Sequence, residues 1–180
     1  IKRDTQESEK FNIVYLSRIV KNKGHQDFIN GISKSKFSND LNVKIIGDGD
    51  LKKDMEILTK NLDLTKCINF MGRLKHSDGI SELSHADLVI STNYDGVFGN
   101  TVLEALKMGI PLIVLEHPGC LSLDKYNLFV LKRAPNLDDN IAKAIDRALI
   151  DKTWLNFLEA QSKEFSLKYL VDWKKRIKLE

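Results

Sequence analysis

The chain has 180 residues, 42% of them hydrophobic and 29% charged, with 28 basic against 25 acidic side chains for a net charge of +3. That length suits one domain with a genuine core, and so slight a positive balance excludes general nucleic-acid binding. The longest apolar runs, such as Ile110 to Leu115, are strand-sized and fall far short of the roughly 20 residues that span a bilayer.

In chain order, the opening Ile1-Lys2-Arg3-Asp4-Thr5-Gln6 reads as the cut end of something longer, and residues 1–10 are expected to form a flexible leader. Phe11 to Leu16 is a candidate first strand, followed by a helix over about Gly24 to Lys36. Val43 to Ile46 is the next strand, after which Leu51, Met55, Leu58 and Leu62 recur at helical spacing. Cys67 to Met71 reads as a third strand and Ile80 to Leu83 as a short helix. Leu88 to Ile90 and Pro111 to Leu115 supply two more buried strands, with a helix between them over Thr101 to Met108. Leu128 to Leu131 is a sixth. From Leu137 onward the pattern is that of two or three helices, the last over 165–180.

Continuous Val/Ile/Leu strands alternating with helices predict an α/β fold, a Rossmann-like parallel sheet of about six strands with helices on both faces. Residues 1–180 read as a single domain. Ligands of such sheets bind beyond the carboxyl ends of the strands. The loops at residues 17–24, 47–50, 72–76, 91–101 and 116–120 are therefore the candidate site. Cys67 and Cys120 sit in unrelated contexts, as reduced thiols of a cytosolic protein do.

Three of these loops carry chemistry. Arg18 and Lys23 leave the first strand five residues apart, across a loop that closes on Gly24. A guanidinium grips phosphate oxygens in a bidentate way and an ammonium adds a compact charge, so the pair could neutralise a pyrophosphate. Alone, they serve equally well as cations that keep a loop solvated. Next, Tyr94-Asp95-Gly96-Val97-Phe98-Gly99-Asn100-Thr101 is a Gly-containing loop that opens a helix, and the free N–H groups of Asn100 and Thr101 form an anion site. Glu104 is expected in the first helical turn, where it could accept two hydroxyls of a sugar ring or simply complement the helix dipole. Third, Asp48-Gly49-Asp50 has the acid-x-acid form that can hold Mg²⁺ or Mn²⁺, but Asp-Gly is also ordinary turn chemistry and Lys53 occupies the glycine position of a calcium loop. No metal site is expected.

The first strand is not followed by G-x-G-x-x-G, which disfavours a nicotinamide dehydrogenase. His25, His76, His85 and His117 show no metal-ligand spacing and read as structural or solvent-facing.

Taken in order, these segments resemble the C-terminal domain of the retaining family-4 (group 1) glycosyltransferases, one half of a GT-B fold. The family pattern G-R-L-x-x-x-K-G is met by Ser17-Arg18-Ile19-Val20-Lys21-Asn22-Lys23-Gly24. V-G-D-G-P is met by Ile46-Gly47-Asp48-Gly49-Asp50, and V-x-F-x-G by Ile68-Asn69-Phe70-Met71-Gly72. The long closing signature runs from Ser91 through Glu104-Ala105-Leu106-Lys107-Met108-Gly109-Ile110-Pro111-Leu112. There are three departures. The family acids stand eight positions apart whereas Asp95 and Glu104 are nine apart, Ser17 replaces a glycine, and Glu116-His117-Pro118-Gly119-Cys120 replaces G-G-x-x-E.

The resemblance implies a hexosyltransferase that takes a UDP- or GDP-sugar without a metal or other cofactor and passes the sugar to a glycan or lipid-linked acceptor. It implies that Arg18 and Lys23 bind the diphosphate and Glu104 the ribose hydroxyls. Asp95 would reach the donor sugar, and Phe98, Gly99, Asn100 and Thr101 would present N–H groups to sugar and phosphates. The turn Gly72-Arg73-Leu74 would lie near the base. The acceptor pocket would come from an N-terminal domain absent from this chain, so the chain alone should hold a donor and transfer nothing. A cytoplasmic protein is implied, either free or at the cytoplasmic face of the membrane, with the basic, apolar tail Lys168 to Glu180 either lying on anionic lipid or packing as a terminal helix. Two alternatives share the pattern: a non-catalytic GT-B-like interaction subunit and a GT-B sugar-nucleotide epimerase.

Overall fold

A computed structural model describes residues 10–95, 99–116 and 129–170. The expected leader up to residue 9, Phe98, the segment 117–128 with Cys120, and the tail beyond residue 170 lie outside the described residues. The elements are β1 (Phe11–Leu16), α1 (His25–Lys34), β2 (Leu41–Ile46), α2 (Lys52–Asn61), β3 (Ile68–Gly72), α3 (His76–Ser84), β4 (Leu88–Ser91), α4 (Asn100–Met108), β5 (Leu112–Leu115), β6 (Phe129–Leu131), α5 (Leu137–Ile150) and α6 (Lys152–Tyr169). A 3₁₀ turn at Ser38–Asp40, unanticipated from the sequence, leads into β2.

All six strands are parallel, in the order β3-β2-β1-β4-β5-β6. Alternate side chains enter two cores, as the strand period of two demands. Ile13, Tyr15, Val43, Ile45, Leu88, Ile90, Ile113 and Leu115 pack with α1, α2 and α5 on one face. Val14, Val89, Leu112 and Val114 pack with α3 and α4 on the other. Burying each such side chain contributes about 1.5–3 kcal/mol, which is why both faces of these strands are apolar. Helix α6 serves both layers, with Trp154 and Leu158 in the first core and Phe165 in the second. It starts on Asp151, whose carboxylate accepts the Trp154 N–H at 2.9 Å, a capping contact that satisfies one orphan donor of the first turn.

Two polar residues break the apolar run of β2: Asn42, whose amide donates to Asn12 Oδ1 at 2.8 Å, and Lys44. Lys44 points toward α3, where its ammonium pairs with Glu82, so the charge is neutralised where burial would otherwise penalise it. The strand order reverses direction between β1 and β4, which both lie at the centre of the sheet. The loops leaving those two strands diverge to opposite sides and open a crevice between them.

Candidate functional site

The crevice is a cleft of about 730 Å³ at the carboxyl end of the sheet, reached by Arg18 and Lys23 from the β1 loop, Arg73 and Leu74 from the β3 loop, and Gly99 to Glu104 at the start of α4. The β1 loop is held by its neighbour. Ser17 N donates to the Ile46 carbonyl and Ile19 N to the Asp48 carbonyl, both at 2.9 Å, while Leu51 N donates back to the Ile19 carbonyl at 3.1 Å. Gly47 has φ 145°, and a Cβ placed there would lie 1.9 Å from the Ser17 carbonyl oxygen. The Gly47-Asp48-Gly49 segment is thus a bare backbone surface against which the Arg18 loop lies. Among the described residues no group of three or more His, Cys, Asp or Glu side chains could hold a metal ion.

Helix α4 is fixed to the same place. The Thr101 hydroxyl donates to the Leu16 carbonyl at 3.1 Å, one residue before Ser17. The N–H groups of Asn100 and Thr101 precede the first helical acceptor, as at any helix start, and both residues line the cleft beside the β1 loop. Arg18 is exposed. Lys23 is more enclosed: its ammonium donates to Asp95 Oδ2 at 2.6 Å and to Asn93 Oδ1 at 3.0 Å. The hydrogen bond from Lys23 holds the Asp95 carboxyl below the usual range, and the nearby charges of Lys23 and Arg18 act in the same direction.

Glu104 is the fifth residue of α4, and the first turn contains no acid. The expectation of a first-turn carboxylate is therefore corrected: the helix begins at Asn100, so Glu104 lies one turn in. There it is too far from the helix start to complement the dipole strongly, and it instead lines the cleft. Its Oε1 lies 3.7 Å from His76 Nδ1 across the opening. Gly72 forms a turn at the end of β3. Its backbone turns at φ 67° and its carbonyl accepts the Gly47 N–H at 2.9 Å, so it braces the neighbouring loop while Arg73 and Leu74 continue into the cleft. Asp95 sits on Lys23 at the cleft's edge, and Phe98 lies outside the described residues.

Arg18, Lys23, Arg73, Leu74, Gly99, Asn100, Thr101 and Glu104 therefore come together around one space. His76 and Asn93 were missed from sequence. Asn93 could have been found from its place just beyond β4. His76 required the true start of α3, whose polar opening His76-Ser77-Asp78 shows no apolar periodicity. His25, by contrast, is buried beside Tyr15, with ring centroids 4.7 Å apart. Cys67 is a buried free thiol.

The family described as glycosyl transferases group 1 matches this chain over residues 1–165. An uncharacterized glycosyltransferase of Methanocaldococcus jannaschii is 26% identical over 160 residues, which cover 88% of this chain and 40% of that protein. The chain thus spans less than half the length of that curated relative. Among solved structures, the C-terminal domain of a group 1 family glycosyl transferase from Francisella tularensis matches with a TM-score of 0.78 at 24% identity, covering 90% of this chain and 87% of that one. The pneumococcal O-GlcNAc transferase, solved with UDP and GlcNAc, matches with a TM-score of 0.78 at 20% identity, covering 95% of this chain and 36% of that one. The fold is that of the GT-B glycosyltransferase C-terminal domains.

Proposed function

The chain belongs to the group 1 glycosyltransferases, and from that premise we propose that its cleft binds a nucleoside-diphosphate sugar, a UDP- or GDP-hexose, for transfer to a glycan or lipid-linked acceptor with retention at the anomeric carbon. The observation that carries this reading is the convergence of Arg18, Lys23 and the first turn of α4 on one space. As the glycosidic bond lengthens, negative charge gathers on the departing diphosphate. Fixed cations and N–H dipoles aimed at that charge bind the transition state more tightly than the ground state. They do so without reorganising at the moment of reaction, and in this role they take the place of a divalent cation.

On the same reading Glu104 accepts the ribose hydroxyls, and Arg73 and Leu74 border the base. Lys23 exchanges Asp95 for phosphate oxygens when the donor enters, which frees the Asp95 carboxylate for a hydroxyl of the donor sugar. UDP is the first nucleotide to test, because a fold neighbour was solved with it. The acceptor is assigned to a second domain, so this chain alone binds the donor without transferring it.

Replacing Arg18 or Lys23 with Ala in the full enzyme is expected to lower turnover at least about a hundredfold, equivalent to about 2.7 kcal/mol of transition-state stabilisation. Steady-state assays with the cognate donor check this, and unchanged turnover in both variants would overturn the assignment.

A further inference from the structure

Lys23 is held at both ends by one strand terminus. Its ammonium donates to Asn93 and Asp95, just beyond β4. The carbonyls of its own peptide and the next one meet Thr92, the residue directly before Asn93. Thr92 is fully buried, and its Oγ1 lies 2.9 Å from the Gly24 carbonyl oxygen and 2.7 Å from Tyr15 Oη. Tyr15 in turn donates its single proton to the Lys23 carbonyl. Burial pushes the Tyr15 hydroxyl far above its ordinary pKa, so it stays a donor. Its ring is wedged between His25 and Phe28, with centroids 4.7 and 4.6 Å away. The fit is close: a Cβ on Gly24, at φ 72°, would lie 2.4 Å from both Thr92 oxygens.

We propose that Tyr15 and Thr92 are positioning residues, whose buried hydroxyls set the Lys23–Gly24 peptide and so aim the Lys23 ammonium at the donor diphosphate. A core that needed only packing would be served by Phe and Val at these places. The two hydroxyls instead meet the carbonyls that flank Gly24: Tyr15 donates to the Lys23 carbonyl, and Thr92 to the Gly24 carbonyl, which also accepts the Phe28 N–H at 3.0 Å. Without them the Lys23 carbonyl loses these two partners and its peptide can tilt toward others, while the Gly24 carbonyl keeps the Phe28 N–H. An ammonium on a four-carbon stem then loses its aim, and displacements of about 1 Å are enough to weaken a charge-assisted contact severely. This inference rests on the diphosphate reading of the cleft.

The test is calorimetric titration of the full-length enzyme with UDP and with GDP, alongside thermal melts. Thr92→Val and Tyr15→Phe, which each remove one hydroxyl and little volume, are expected to weaken nucleotide binding about tenfold, whereas Thr92→Ser stays within about twofold of the parent. In a Lys23→Ala background the Thr92→Val change should have almost no further effect, since the group it aims is gone. If Thr92→Val weakens binding equally with and without Lys23, or leaves it unchanged in the parent, the positioning role is wrong although the diphosphate site stands. If Lys23→Ala binds as tightly as the parent, or neither nucleotide binds at millimolar concentration, the diphosphate reading fails and this inference with it.

Discussion

His25 follows directly on the loop that carries Lys23, and its Nε2 has no partner among the described residues. Burial, helped by the neighbouring Lys23 charge, lowers its pKa to about 4 from the ordinary 6.5. Between those values the unfolded chain binds a proton that the folded chain refuses, so stability rises with pH across this window. The contribution is complete above about pH 6.5 and is lost as pH falls toward 4, at most about 3 kcal/mol. Replacing His25 with Phe should therefore flatten the dependence of the urea midpoint on pH between 4 and 6.5, measured by chemical denaturation. The same position shows how far single residues can be read. A solitary histidine after Lys23-Gly24 suggested nothing beyond a structural or exposed ring, and only its burial reveals an acid-sensitive group next to the candidate site. The pairs Lys23 with Asp95 and His76 with Glu104 were equally out of reach. Their partners are distant along the chain, and each side chain alone is as well explained by solvation.

At the scale of elements, the strands were the most legible part of the sequence. β1 spans the residues expected from its apolar run, Phe11 to Leu16, because a strand covered on both faces is mostly apolar, and its one polar residue, Asn12, is bonded to Asn42 and Asp87. Helix ends were less legible, since first turns face solvent and carry little apolar signal; α3 begins at His76, four residues before the expected Ile80. The Asp48-Gly49-Asp50 segment read as a turn or a weak metal motif, and its observed work is to let two loops touch. Gly47→Ala forces a methyl into the Ser17 carbonyl oxygen, only 1.9 Å from the ideal Cβ position. We expect a loss of about 2 kcal/mol or more in stability. Because the collision displaces the Arg18 loop, UDP affinity should fall as well. Denaturant titration and calorimetry on the variant check the two effects together, and a fully stable Gly47→Ala enzyme would show that the loops do not need this contact.

For the whole molecule, a ligand that binds only the folded state raises stability by mass action. UDP at about a hundred times its dissociation constant adds about 2.7 kcal/mol, which for a domain of this size raises Tm by roughly 5–10 °C. Differential scanning fluorimetry of this chain with and without UDP should show that rise, and Arg18→Ala should abolish most of it. The two strand-end loops that make such a site belong to neighbouring central strands, β1 and β4, although about seventy residues separate Lys23 from Asn93. By itself the sequence determined the element types, the parallel sheet with helices on both faces and the family pattern, because burial writes apolar periodicity directly into consecutive residues. Only the tertiary structure decided that β1 and β4 are adjacent, that Lys23 is tied to Asp95 and braced by Thr92, and that Glu104 faces the cleft one turn into α4. Those arrangements depend on strand order and on close backbone approach, which are set by contacts between segments that carry no mark of one another in the chain.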